Sequence, residues 1–118
     1  MRVKDAVGRF GEQVAAEHLE RAGLTILDRN WRCPEGEIDI VAADGDTLVV
    51  CEVKTRSGLG YGDPAEAVVA AKAARLRRLA LRWLAAHPLS WRELRFDVVT
   101  VLRGQGDEPL VRHLRGAF

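Results

Sequence analysis

Apolar residues recur every three or four positions near the start of the chain, a spacing typical of an amphipathic helix. Residues 5–22 follow this pattern and predict a helix that ends at Gly23. Residues 25–31 contain β-branched and aromatic side chains and predict a strand, followed by a turn at residues 33–36. The apolar side of the predicted helix comprises Val7, Phe10, Val14, His18 and Ala22.

Two further apolar runs, residues 37–43 and 47–55, are separated by Asp44-Gly45. This dipeptide between two strand-like segments predicts a β-hairpin with a two-residue turn. Pairing around that turn places Asp39 opposite Val50 and Glu37 opposite Glu52. A three-residue loop would instead send Asp39 to the opposite side of the sheet from Glu52, and the sequence leaves that alternative open.

A long helical pattern and two strands complete the chain. Residues 63–86 open with Asp63 as N-cap, Pro64 at the first helical position and Glu66 at the third, after a glycine-rich loop at residues 58–62. Residues 94–102 predict a strand, and residues 110–114 predict a short edge strand. This order predicts an α/β protein in which helices flank a central mixed sheet.

Size and composition narrow the class of protein. The 118 residues, of 13.1 kDa, fit one domain covering residues 1–118. No apolar run approaches the roughly 20 residues of a membrane-spanning helix, and two cysteines are too few for a disulfide framework. We therefore expect a soluble cytoplasmic protein without a membrane partner. The net charge of +1 means that nucleic-acid binding must depend on how charge is distributed.

Four charged residues of the hairpin are predicted to share one face of the sheet: Glu37, Asp39, Glu52 and Lys54. Two carboxylates on one face suit a hard cation such as Mg²⁺, which prefers oxygen ligands. The Lys54 ammonium group beside such a cation can orient a water molecule and stabilise charge developing on a phosphate oxygen. The alternative is an ordinary surface on which these groups pair weakly across the strands.

The spacing of Asp39, twelve residues and then Glu52-Val53-Lys54 resembles the PD-(D/E)XK nuclease superfamily. The chain more closely resembles the YraN-like bacterial family, a relative of archaeal Holliday-junction resolvases, from residues 8–12 at the start to residues 95–99, so that the resemblance covers roughly residues 5–102. The resemblance implies a restriction-endonuclease-like core in which Asp39 and Glu52 bind a divalent metal. Ile38 departs from the superfamily pattern, where a proline occupies this position, and leaves the acidic residue intact.

The resemblance also implies roles for two helical residues. Glu12 matches a glutamate that joins the metal site in the resolvase branch. Alternatively, Glu12 lies on the solvated flank of the helix. Lys72 lies inside the apolar stripe of the long helix, between Leu76 and Leu79. It either extends along that stripe to solvent or reaches the strand ends, near Glu52 and a bound phosphate.

Basic residues along the long helix predict phosphate contacts. Arg75, Arg78 and Arg82 share one flank of this helix, and Arg56 shares the strand face of Lys54. Such side chains can neutralise nucleic-acid phosphates independently of sequence, although they can equally form a solvated helix face. Arg95 and Asp97 are expected to form a structural pair on their strand.

The leading hypothesis is a nuclease that hydrolyses DNA phosphodiesters, including branched or damaged DNA, with Mg²⁺ or Mn²⁺ as cofactor. Asp39, Glu52 and Glu12 are the expected metal ligands, and Lys54, Glu12 and Lys72 the expected catalytic residues. One alternative is a nucleic-acid-binding module that keeps the fold without cleavage, and another is a partner-binding scaffold with an exposed apolar patch. The oligomeric state is open between a monomer and a homodimer.

Overall fold

The computed structural model describes residues 3–57, 70–103 and 108–118, with side chains described for residues 8–56, 72–103 and 108–118. The elements are α1 (Val3–Arg21), β1 (Thr25–Cys33), β2 (Gly36–Asp44), β3 (Thr47–Ser57), α2 (Ala70–Ala86), β4 (Glu93–Arg103) and β5 (Leu110–Leu114). The predicted glycine-rich loop and the predicted helix start at Asp63, Pro64 and Glu66 lie outside the described residues, as does the side chain of Val7.

The five strands form one mixed sheet in the order β1-β2-β3-β4-β5. Neighbouring strands are antiparallel except β3 and β4, which are parallel and have α2 between them in the chain. The predicted α/β class is confirmed, and the arrangement is compatible with a restriction-endonuclease-like core. Within the described residues, no helix is both long and apolar enough to cross a membrane.

The two helices pack on opposite faces of the sheet. Ala15, Ala16 and Leu19 of α1 join one buried cluster, which includes Ile40 and Cys51. A second buried cluster lies on the other face, where side chains of α2 pack against strand residues that point to that face. Its most buried members are Ile38, Val41, Leu48, Val50, Leu79, Ala80 and Trp83.

The predicted apolar side of α1 is wrong in part. Phe10 is 37% exposed and Ala22 is also exposed, whereas Ala15 and Ala16 are buried. The helix contacts the sheet through Ala15, Ala16 and Leu19, whereas the Phe10 ring lies 4.9 Å from the guanidinium group of Arg103. Val14 is partly buried at the edge of the cluster, and His18 is half-buried.

The hairpin register differs from the prediction by one position on each strand. Val41 pairs with Val50 and Asp44 with Thr47, so the turn residues are Gly45 and Asp46, not Asp44 and Gly45. Gly45 has φ 60°, and glycine is favoured at the first central position of a type II′ turn because it tolerates positive φ. Asp39 therefore does not lie opposite Val50, nor Glu37 opposite Glu52. The loop nevertheless contains two residues, so the three-residue alternative is excluded.

Candidate functional site

Strands β2 and β3 separate at the point where the acidic residues begin. The last backbone pair of their ladder is Ile40 with Cys51. Beyond it the Val53 amide donates a hydrogen bond of 2.8 Å to Oδ2 of Asp39. Because Ile38 packs in the α2 cluster and Ile40 in the α1 cluster, Asp39 lies between residues that face opposite sides of the sheet. A carboxylate thus replaces a backbone partner at the end of the hairpin ladder.

Three carboxylates meet at this position. Oxygen atoms of Glu12, Glu37 and Asp39 all lie within 4.8 Å of one another, and each of these side chains is half-buried. This group, called the acidic triad below, combines α1 with β2. Oxygen atoms at such spacing are the ligands that Mg²⁺ and Mn²⁺ prefer.

Glu12 reaches the triad because α1 approaches β3 very closely. At Gly11, a Cβ atom would lie 1.8 Å from Oγ1 of Thr55 and 3.0 Å from its Cβ, distances that no side chain could occupy. Glycine therefore permits the helix to touch the strand, and the next residue, Glu12, lies over the strand ends. The structure places Glu12 at the acidic triad rather than on a solvated flank.

Glu52 lies beside the acidic triad and is held by two lysines. Its Oε1 atom is 3.1 Å from Nζ of Lys54 and 2.7 Å from Nζ of Lys72. The Glu52 side chain is 11% exposed and both lysine side chains are 20% exposed. Lys72 therefore reaches the strand end from α2, which was one of the two alternatives for this residue.

The second carboxylate oxygen of Glu52 provides a test of whether a cation fits this site. Within the described part of the chain, Glu52 Oε2 is buried and has no hydrogen-bond partner. A buried carboxylate oxygen without a partner is costly, and either a cation or a water donor would satisfy it. The residues present thus fit a divalent cation held by the acidic triad with Glu52 alongside.

The crowded carboxylates perturb one another. The pKa of Asp39 is raised from 3.8 to about 6, first by burial and then by the nearby charges of Glu12, Glu52 and Glu37, against the opposing Val53 hydrogen bond. Burial also lowers the pKa of Lys54, as does the neighbouring ammonium group of Lys72. Repulsion among the carboxylates is the electrostatic condition that a bound cation relieves.

A cavity of about 380 Å³ opens beside these groups, lined by Gly36, Glu37, Asp39, Glu52, Arg75 and Leu76. Arg75, like Lys72, is thus a predicted phosphate-contact residue that the structure brings to the site. Arg82 instead forms an ion pair with Glu35 in the turn between β1 and β2. Arg78 is exposed on α2, and Arg56 is half-buried on β3 beyond Lys54.

The expected pair of Arg95 and Asp97 is confirmed and belongs to a larger network. Arg95 donates to Asp97 at 2.9 and 3.1 Å and to Asp44 at 3.0 Å. His113 Nε2 lies 2.7 Å from Asp97, and the Gly116 amide donates to it at 3.0 Å. Burial alone would raise the pKa of Asp97, but these partners lower it to about 2. The network ties β5 and the last turn to β4.

Three features of the site escaped sequence reasoning. Glu37 was expected to lie opposite Glu52, yet it joins Glu12 and Asp39 in the acidic triad. The close approach at Gly11 had a signal in the sequence, the Gly11-Glu12 pair, but glycine alone does not show what it packs against. The hydrogen bond from Val53 to Asp39 follows from the separation of the strands, which no residue pattern indicates.

Comparisons with other proteins agree with the motifs. Residues 11–101 match the model of a family described as uncharacterised protein family UPF0102. A UPF0102 protein of Frankia casuarinae is 63% identical over 118 residues, which is 100% of both chains. One from Beutenbergia cavernae is 60% identical over 98% of each chain, and one from Rhodococcus opacus is 52% identical over 96% of each. The chain therefore belongs to UPF0102, the YraN-like family that its motifs indicated.

Proposed function

We propose that this protein is a metal-dependent nuclease that hydrolyses phosphodiester bonds in DNA, including branched or damaged DNA, in the cytoplasm. The observation that carries this proposal is the meeting of carboxylates with two lysines at one strand end. The acidic triad, an oxygen of Glu52 without a partner among the described residues and the ammonium groups of Lys54 and Lys72 lie together there, and Glu37, Asp39 and Glu52 line the site cavity. Such a combination suits a cation together with a phosphate group.

Each group has a distinct task in this proposal. Asp39, Glu52 and Glu12 would hold Mg²⁺ or Mn²⁺, with Glu37 as an additional oxygen ligand. When bound, the cation supplies Lewis-acid stabilisation and lowers the pKa of water. The carboxylates of Asp39 and Glu52 lie where β2 and β3 separate, and they line the cavity that a phosphodiester would enter.

The lysines act on the phosphate. Lys54 and Lys72 now share one oxygen of Glu52, and either ammonium group can turn to a phosphate oxygen without leaving the strand end. Lys54, whose pKa is lowered, is the residue expected to position the attacking water and stabilise the negative charge of the transition state. Arg75 at the cavity wall adds a contact to the phosphate backbone.

The test is a cleavage assay with end-labelled linear, flapped and four-way DNA in Mg²⁺, Mn²⁺ or a chelator. We expect cleavage that requires Mg²⁺ or Mn²⁺ and that disappears in the folded variants Asp39→Asn and Lys54→Ala. Arg29→Gln is a suitable control because Arg29 is exposed on β1 and bonds Gln13 on α1. If folded wild-type protein cleaves none of these substrates, the nuclease proposal is wrong. Retained DNA binding would then favour the nucleic-acid-binding module.

A further inference from the structure

A second concavity adjoins the candidate site. It has a volume of about 510 Å³ and is formed by the turn between β1 and β2, from Arg32 to Glu37. Gly36 and Glu37 line both this concavity and the site cavity of about 380 Å³. The second concavity is shallow and open, and it adjoins the site cavity at these two residues. Its lining, from Arg32 to Glu37, is called the turn groove below.

Two arginines border the turn groove, and a glutamate holds each of them. Arg32 Nε lies 2.9 Å from Oε2 of Glu37, its partner across the strands. Arg82 of α2 donates through Nε to Oε1 of Glu35 at 2.6 Å. The Arg32 and Arg82 side chains are 80% and 56% exposed, respectively. Exposed ion pairs of this kind contribute little to stability, so a competing anion can displace either glutamate.

Phosphodiester groups are the anions that match this arrangement. Guanidinium groups bind phosphate oxygens through paired hydrogen bonds. Arg32 lines the turn groove, and Arg82 reaches its edge through Glu35. We propose that a nucleic-acid strand leaving the site crosses the β1–β2 turn and binds Arg32 and Arg82 through its phosphates. In doing so it displaces Glu37 and Glu35. This inference rests on the proposed function.

The exchange would link substrate binding to the acidic triad. Glu37 belongs both to the Arg32 ion pair and to the triad with Glu12 and Asp39. When a phosphate takes Arg32, the Oε2 atom of Glu37 loses its cationic partner. The negative charge of Glu37 is then available to a cation at the triad. This charge is most needed when substrate is present.

The experiment measures anisotropy of fluorescent single-stranded and duplex DNA with the full chain in Ca²⁺, which occupies oxygen sites. Arg32→Gln and Arg82→Gln should each weaken binding by roughly five- to tenfold. Each should also reduce the slope of log affinity against log salt by about 0.7 to 0.9. Arg29→Gln is the matched control, because Arg29 lies on the same strand and bonds Gln13 at 2.9 Å. It should change neither quantity.

Glu35→Gln provides a test with the opposite sign. It removes the carboxylate that competes for Arg82, so DNA binding should tighten by roughly two- to fivefold. If Arg32→Gln and Arg82→Gln match Arg29→Gln, or if Glu35→Gln weakens binding, the path across the turn is wrong. Metal-dependent cleavage by the wild-type protein would still support the proposed function. Absence of DNA binding by the folded wild-type protein would overturn both.

Discussion

Replacing Gly11 with alanine tests how the first helix positions the candidate site. The added Cβ would lie 1.8 Å from Oγ1, 3.0 Å from Cβ and 3.2 Å from Cγ2 of Thr55. Rotation of the Thr55 side chain can move the hydroxyl group but cannot move its Cβ. The backbone of α1 or of β3 must therefore shift by roughly a few tenths of an ångström to reach normal packing distances.

Two opposing effects set the change in unfolding free energy. Alanine is better than glycine in a helix by about 1 kcal/mol, whereas an additional methyl group in a tightly packed contact costs about 1–3 kcal/mol. We expect Gly11→Ala to lower the unfolding free energy by up to about 2 kcal/mol. Moving α1 outward also separates Glu12 from Asp39 and Glu37, so Mn²⁺ affinity should fall.

The same helix provides the control. Among the described residues, a Cβ at Gly8 has no neighbour within 4 Å, so Gly8→Ala should stabilise the protein by about 0.5–1 kcal/mol. Adding Thr55→Ala to Gly11→Ala removes Oγ1 and Cγ2 of Thr55, which lie close to the new Cβ. The double variant should therefore regain part of the lost stability. Urea unfolding and Mn²⁺ calorimetry measure both effects. Equal stability of Gly8→Ala and Gly11→Ala would refute the close approach of α1 to β3.

Two further predictions concern charge. The pKa of Asp97 is about 2 in the folded protein against an ordinary 3.8, so its stabilisation is complete above about pH 4 and is lost as the pH falls towards 2. Asp97→Asn should abolish about 2 kcal/mol of the acid-dependent decrease in unfolding free energy, as measured by urea unfolding. Asp46→Asn, in the exposed turn, should leave this decrease unchanged. In Mn²⁺ calorimetry, Asp39→Ala and Glu52→Ala should weaken binding. Lys54→Ala should retain or strengthen it, because a nearby cation has been removed.

Each of these two predictions has a clear contrary result. An Asp97→Asn protein that loses as much stability in acid as the parent would mean that another group controls the acid sensitivity. Equal loss of Mn²⁺ affinity in Lys54→Ala and Asp39→Ala would mean that Lys54 supports the fold of the site. In that case Lys54 would not act as a separate cationic group.

Local signals in the sequence predicted the elements of the fold well, because turn and strand patterns depend on near neighbours. Asp44-Gly45 located the hairpin, yet the turn itself uses Gly45 and Asp46 because glycine accepts positive φ at the first turn position. The side of α1 that packs on the sheet was harder to predict. Hydrophobicity favoured Phe10, but Ala15, Ala16 and Leu19 are the residues that are buried there.

The candidate site was predictable in composition but not in grouping. Glu12, Asp39, Glu52 and Lys54 do meet at one end of the sheet, as spacing and resemblance indicated. Spacing alone could not show that Glu37 would join Glu12 while Glu52 bonded two lysines. That division depends on where the strands part, which is a property of the packed sheet and not of either strand.

The packing of the two helices on opposite faces gives the site two independent sources of charge. From one face α1 contributes an anion, Glu12, and from the other α2 contributes cations, Lys72 and Arg75. The sheet therefore brings an anion from one helix and cations from the other to the same strand end. Under the proposed function, changes on α1 would act first on affinity for a cation and changes on α2 first on affinity for a phosphate, so the two properties could diverge among relatives that share one fold.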